Sequence, residues 1–185
     1  MAKSESPGTR SKLINLPPLP SDRARMPEAK AIFGAHADVI VHGWADRQNS
    51  PKGKYAESPN AWFKREAYAL ISHYVAYDLA DVFRRFVRQD RRSNRVIEEA
   101  LMNPFKLGLL AMFADDSDLG RNNRRVFGNQ MLYAWAHDVP PEFLNGFLAV
   151  SGGPAEIAEK LRCGTFEPGF EKRFRPERME LLGES

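Results

Sequence analysis

The sequence predicts an all-α fold: an irregular single-domain bundle of about six or seven helices, with one long central helix and flexible ends. Three observations carry this. Apolar residues recur every three or four positions over most of residues 26–163. Strand signals are weak, the β-branched run Val39-Ile40-Val41 being the one place where a strand competes. The chain is 185 residues long, enough for one domain with its own core.

Residues 1–25 are rich in Ser, Pro and basic side chains, and LPPLP (16–20) is proline-dense, so a flexible N-terminal arm is expected. The arm has no apolar stretch of the kind a secretory signal carries, and no run reaches the roughly 18–20 apolar residues of a membrane span. A helical domain is expected over 26–165. Met26-Pro27 opens the first helix, with Ala31, Ile32, Ala35, Val39 and Ile40 at near-helical spacing. NSPKGKYAESPN (49–60) reads as a loop. From Ser58-Pro59-Asn60 the apolar set runs through Phe63, Ala67, Leu70, Ile71, Tyr74, Val75, Leu79, Val82, Phe83, Phe86 and Val87. No Gly or Pro falls between 60 and 92. One helix of about eight turns is expected there.

Asn94 or Ser93 caps a short helix, RVIEEALM, which Asn103-Pro104 ends. FKLGLLAMFA (105–114) is an apolar, central helix. DDSD (115–118) is a polar break before a helix over about 119–137, with Val126, Phe127, Met131, Leu132 and Trp135 inward. Asp138-Val-Pro-Pro stops that helix, EFLNGFLAV restarts, Ser151-Gly-Gly turns, and PAEIAEKLR forms the last helix. Residues 166–185 are expected as a polar tail. Trp44, Trp62 and Trp135 are expected as core or interface anchors.

Net charge is only +3, but the positive charge is concentrated. Residues 84–95 hold six Arg against one Asp, RNNRR (121–125) adds three more, and EKRFRPER (171–178) carries four bases against two acids. The remainder of the chain is net −7. On one continuous helix Arg84, Arg85, Arg88, Arg91, Arg92 and Arg95 make a single stripe about 16 Å long, a fit to several phosphates of a duplex. The arginine fork binds phosphate bidentately. Asp81, Glu98 and Glu99 offer a competing answer, a solvated face paired within its own helix. Arg121, Arg124 and Arg125 stand at offsets 0, 3 and 4, on one side of a helix start, with Asn122 and Asn123 between them. Arg and Asn are the side chains that read guanine and adenine edges. Pairing with Asp115, Asp116 and Asp118 is the alternative.

Other motifs point to less. LNGFLAVSGGPAEIAEKLR (144–162) has a helix-turn-helix outline, but Glu156 and Glu159 on its second helix argue for an ordinary helical hairpin. His137-Asp138 resembles the His-Asp pair of metal-dependent HD phosphohydrolases, a pattern that also needs a later Asp, and none follows 138. No metal or cofactor is expected. DDSDLG lacks the Glu of a calcium loop, and Gly152-Gly153 lacks the Lys-Ser/Thr of a phosphate-binding loop. The single cysteine, Cys163, excludes an internal disulfide, fits a cytoplasmic protein, and is expected to be structural.

The expected function is therefore a non-enzymatic nucleic-acid-binding accessory or regulatory protein, DNA ahead of RNA, using the nine arginines named above. The alternative is a protein–protein adaptor or inhibitor whose basic face meets an acidic partner, with LINLPPLP (13–20) docking as an extended segment. A homodimer is a further possibility in either case. No complete catalytic constellation is present in the sequence.

Overall fold

The computed structural model describes residues 26–51, 53–89, 94–113 and 119–180. Among them are eight α-helices of eight residues or more and no strand: α1 (Met26–Gln48), α2 (Pro59–Ala76), α3 (Asp81–Gln89), α4 (Asn94–Leu101), α5 (Pro104–Met112), α6 (Arg121–Ala136), α7 (Leu144–Ser151) and α8 (Pro154–Cys163). A 3-10 turn, Pro141–Phe143, leads into α7, and a four-residue turn, α9 (Glu177–Glu180), follows near the end. The N-terminal arm lies outside the described residues.

The expected long central helix is not formed. It is two helices, α2 and α3, because the chain turns at Tyr77–Ala80. Asp78 adopts φ 55° in the left-handed region. The Asp78 N–H donates to the Val75 carbonyl at 3.1 Å and the Leu79 N–H to the Tyr74 carbonyl at 2.9 Å. These are the paired bonds of a Schellman ending, and Leu79 is buried just beyond it. Asp tolerates this backbone better than most residues, although glycine is the usual occupant. The same device ends α6 at Asp138, φ 53°, with Val139 bonded back to Ala134 at 3.1 Å.

α5 is the hub of the fold, packing against α1, α2, α3, α4 and α6. Its N-terminus is fixed by Asn103, whose side-chain oxygen accepts from the N–H groups of Phe105 (2.9 Å) and Lys106 (3.2 Å). Seven of its nine residues are buried. The α2–α5 crossing is close because residue 108 is glycine: a Cβ there would come within 2.7 Å of the Ile71 side chain.

Aromatic groups tie the core together. Phe33, Tyr74, Phe83 and Phe86 join α1, α2 and α3. Trp44, Phe63, Phe113 and Phe127 join α1 and α2 to the segments flanking residues 114–118. Trp44 and Trp62 are buried, and Trp135 is half-buried beneath the Arg178 guanidinium.

The segment after Gly164 lies against the end of α6. Phe170 and Phe174 pack on the His137 ring. The Arg175 N–H donates to the Ala136 carbonyl at 2.7 Å, and Arg178 reaches the Trp135 carbonyl and Asp138. Its polar composition conceals Phe166, Phe170 and Phe174, each four residues apart.

Candidate nucleic-acid interface

α3 is amphipathic in the plainest sense. Val82, Phe83 and Val87 are wholly buried, while Arg84, Arg85 and Arg88 are exposed on the opposite side. Asp81 pairs with Arg84 at 2.9 Å. Both side chains are about half exposed, so this pair contributes at most about 1 kcal/mol and leaves Arg84 available. Arg85 and Arg88 make no ion pair with a described carboxylate. Arg91 and Arg92 lie outside the described residues. Arg95 belongs to α4, so the expected single stripe is divided between two helices.

The second basic segment meets the first through one carboxylate. Arg121 donates through Nε (3.0 Å) and Nη2 to the two oxygens of Glu99, and Arg95 donates to the same group at 3.4 Å. Arg95 and Arg121, 26 positions apart, thus share Glu99. Beside this junction lies a cleft of about 530 Å³. α4 lines it with Val96, Glu99 and Ala100, α5 with Lys106, and α6 with Arg121, Asn122, Arg124 and Arg125. Four cationic side chains therefore line it, with Glu99 the one carboxylate among the described lining residues.

Arg121 and Arg125 are exposed, whereas Arg124 is buried at 7% exposure. The three arginines expected on one open surface do not share it. Arg124 stands three and seven positions before Phe127 and Met131, so it continues the buried face of α6 and forms the cleft's inner wall. Arg125 is braced by Asn122, whose amide oxygen accepts from Nη2 at 3.1 Å.

Lys106 is the residue that sequence reasoning passed over. It stands in the first turn of α5, half-buried, with its stem against α6. Gly128 makes room for it: a Cβ at that position would fall 2.5 Å from Lys106 Cγ and 3.2 Å from its backbone nitrogen. Asn103 ties the same place together by donating to the Gly128 carbonyl at 3.3 Å. Burial depresses the Lys106 ammonium below its ordinary pKa, the Arg125 charge adds to this, and Glu99 opposes it. An anion in the cleft would act as Glu99 does, favouring the charged lysine. Its signal in the sequence was a lone base inside the apolar FKLGLLAM, directly after a capping Asn-Pro.

The other candidates are occupied by internal contacts. On α8, Lys160 pairs with Glu156 (3.1 Å) and Glu167 (2.8 Å), and Arg162 pairs with Glu159, so the second helix of the hairpin has no unanswered basic face. His137 is fully buried. Its Nδ1–H donates to the Tyr133 carbonyl at 2.7 Å, and its Nε2 accepts the Glu167 N–H at 2.9 Å. Neither nitrogen is available to a metal. Among the described residues no group of three or more His, Cys, Asp or Glu is arranged to hold a metal ion, and no helix is long and apolar enough to cross a membrane. Cys163 is exposed, and its hydrogen bond to Glu159 raises the thiol pKa, which works against a reactive thiolate.

Comparison with known proteins gives no match: no family model, no curated protein and no solved structure resembles this chain.

Proposed function

We propose that this chain binds nucleic acid, DNA ahead of RNA, by gripping phosphates in the α4–α5–α6 cleft and along the exposed arginines of α3. The observation that carries this reading is the convergence of Lys106, Arg121, Arg124 and Arg125, from two helices, on one cleft. Concave walls of low dielectric focus the field of such a cluster more strongly than a flat basic patch does. Arg121 and Arg125 supply forks for bidentate phosphate contacts, and Asn122 beside them is a side chain able to donate to a phosphate or a base edge. Arg84, Arg85 and Arg88 extend the contact by one helix turn.

The test is fluorescence anisotropy with a short labelled duplex and a single-stranded RNA of the same length, titrated over a range of salt. If about four to six phosphates are neutralised, log K falls against log salt with a slope of roughly −4 to −5 on duplex DNA. Arg88→Glu combined with Arg125→Glu reduces the slope by about two and weakens binding across all sequences. Absence of salt-dependent binding to either polymer rules the reading out. Capture of an acidic protein by the same surface, in nuclease-treated samples, would favour the adaptor reading instead.

A further inference from the structure

The turn before α7 and α7 itself carry an apolar stripe that the fold leaves open. Phe143, Gly146, Phe147 and Val150 stand at i, i+3, i+4 and i+7, one side of a helix. Phe147 is buried, but Phe143 is 62% exposed and Val150 76%. These residues border a hollow of about 290 Å³ whose walls include Val139, Pro140 and Phe170. Projecting apolar side chains and an apolar hollow therefore lie next to each other on one surface.

We propose that this face binds a second copy of the same chain, α7 against α7 across a two-fold axis. A two-fold interface must be complementary to itself, so a knob and a hole side by side are what it requires. The two-fold carries Phe143 of each protomer toward the hollow of the other. Gly146, in the middle of the stripe, faces open space, with no atom within 4 Å of a Cβ built there, so nothing in the protomer blocks a partner helix from it. The rim carries both signs of charge. Glu142 precedes Phe143 and Arg173 lines the hollow; both are exposed, and neither pairs with a described residue. The two-fold sets Glu142 of one protomer against Arg173 of the other, twice. An adjoining face of one sign would favour a partner of the opposite charge; a face with both favours its own copy.

The stripe is only about 12 Å long, eight residues at 1.5 Å each, which places the dimer among small, concentration-dependent interfaces. Sedimentation velocity of the full chain, without nucleic acid, is the test, from about 1 to 100 µM. The expected result is a monomer–dimer equilibrium within that range. Phe143→Glu with Val150→Glu abolishes the dimer; both sites are exposed, so the fold is kept, and far-UV circular dichroism checks this. Glu142→Arg and Arg173→Glu each weaken the dimer, and the two together restore it. A wild type that stays monomeric at the top of the range overturns the proposal. So does a dimer that survives the Phe143/Val150 double substitution.

Discussion

Replacing Asn103 with alanine tests how the fold builds the cleft. Asn103 is buried at 1% exposure, and its amide is used at both ends. The oxygen caps α5 through the N–H groups of Phe105 and Lys106, and the nitrogen donates across to the Gly128 carbonyl of α6. Loss of an N-cap costs about 1 kcal/mol, with a range of roughly 0.5–2. Loss of the interhelical hydrogen bond costs about 0.5–1.5 kcal/mol more. Burial allows little water to replace either, so a total of about 2–3 kcal/mol is expected for Asn103→Ala. For a domain of this size each kcal/mol moves the melting temperature by about 2–4 °C, giving a fall of about 5–10 °C. Thermal unfolding followed by far-UV circular dichroism measures it. Asn103→Ser separates the two roles, because its hydroxyl oxygen still caps α5 while the donor to Gly128 is lost. Its cost should be about 1 kcal/mol, that of the lost interhelical hydrogen bond. If Asn103→Ala costs under about 0.5 kcal/mol, or Ser costs as much as Ala, the assignment of Asn103 as both cap and interhelical tie is wrong.

Two further outcomes follow from the same geometry. Burial holds His137 below its ordinary pKa, so the native state favours neutral imidazole, and its stabilising contribution is complete above about pH 6.5 and is lost as pH falls through the unfolded value toward the folded one. Its protonation would turn Nε2 into a donor facing the Glu167 N–H, against the attraction of Glu167 and with the repulsion of Lys160. Denaturant unfolding between about pH 7.5 and 5 should therefore steepen for the wild type and flatten for His137→Gln; equal slopes would remove His137 as the cause. In the cleft, Glu99→Gln removes the one carboxylate among the described lining residues and releases Arg95 and Arg121. Anisotropy should show tighter duplex binding and a salt slope steeper by about one, whereas weaker binding would mean that Glu99 orients the arginines and does not compete with phosphate.

Helix starts were legible because their signals are local. Ser58-Pro59 opens a helix where a Ser cap and a first-turn proline imply one. Asn103-Pro104, expected only to end the helix before it, also caps the next. The break at Asp78 was not legible, for two reasons. Neither glycine nor proline marks it, and both helices bury their apolar residues in the same core, so the spacing continues across the turn. Arg124 stands in two registers at once: its offset from Arg121 suggests a shared basic face, and its spacing to Phe127 and Met131 puts it on the buried one. Glu99 was read only as a neighbour of Arg95, since its contact with Arg121 joins residues 22 positions apart. Lys106 escaped because a single base in an apolar helix gives no charge cluster until another helix supplies the rest.

The turn at Asp78 also shapes the cleft. A straight helix over residues 59–92 would run about 50 Å, whereas α1, the longest helix present at 23 residues, runs about 35 Å. The arginines from 88 onward would then project past the core, with nothing apolar to cover Val82, Phe83 and Val87. The turn at Asp78 lets α3 pack on α5 and α1, where those three residues are buried completely. α4 packs on α5 as well, and Glu99 on α4 reaches Arg121 at the start of α6, with Lys106 lining the same cleft. The electrostatic site is thus a consequence of where hydrophobic burial forces the chain to turn, and a substitution that straightened residues 77–80 would disperse its cations before it removed a single charge.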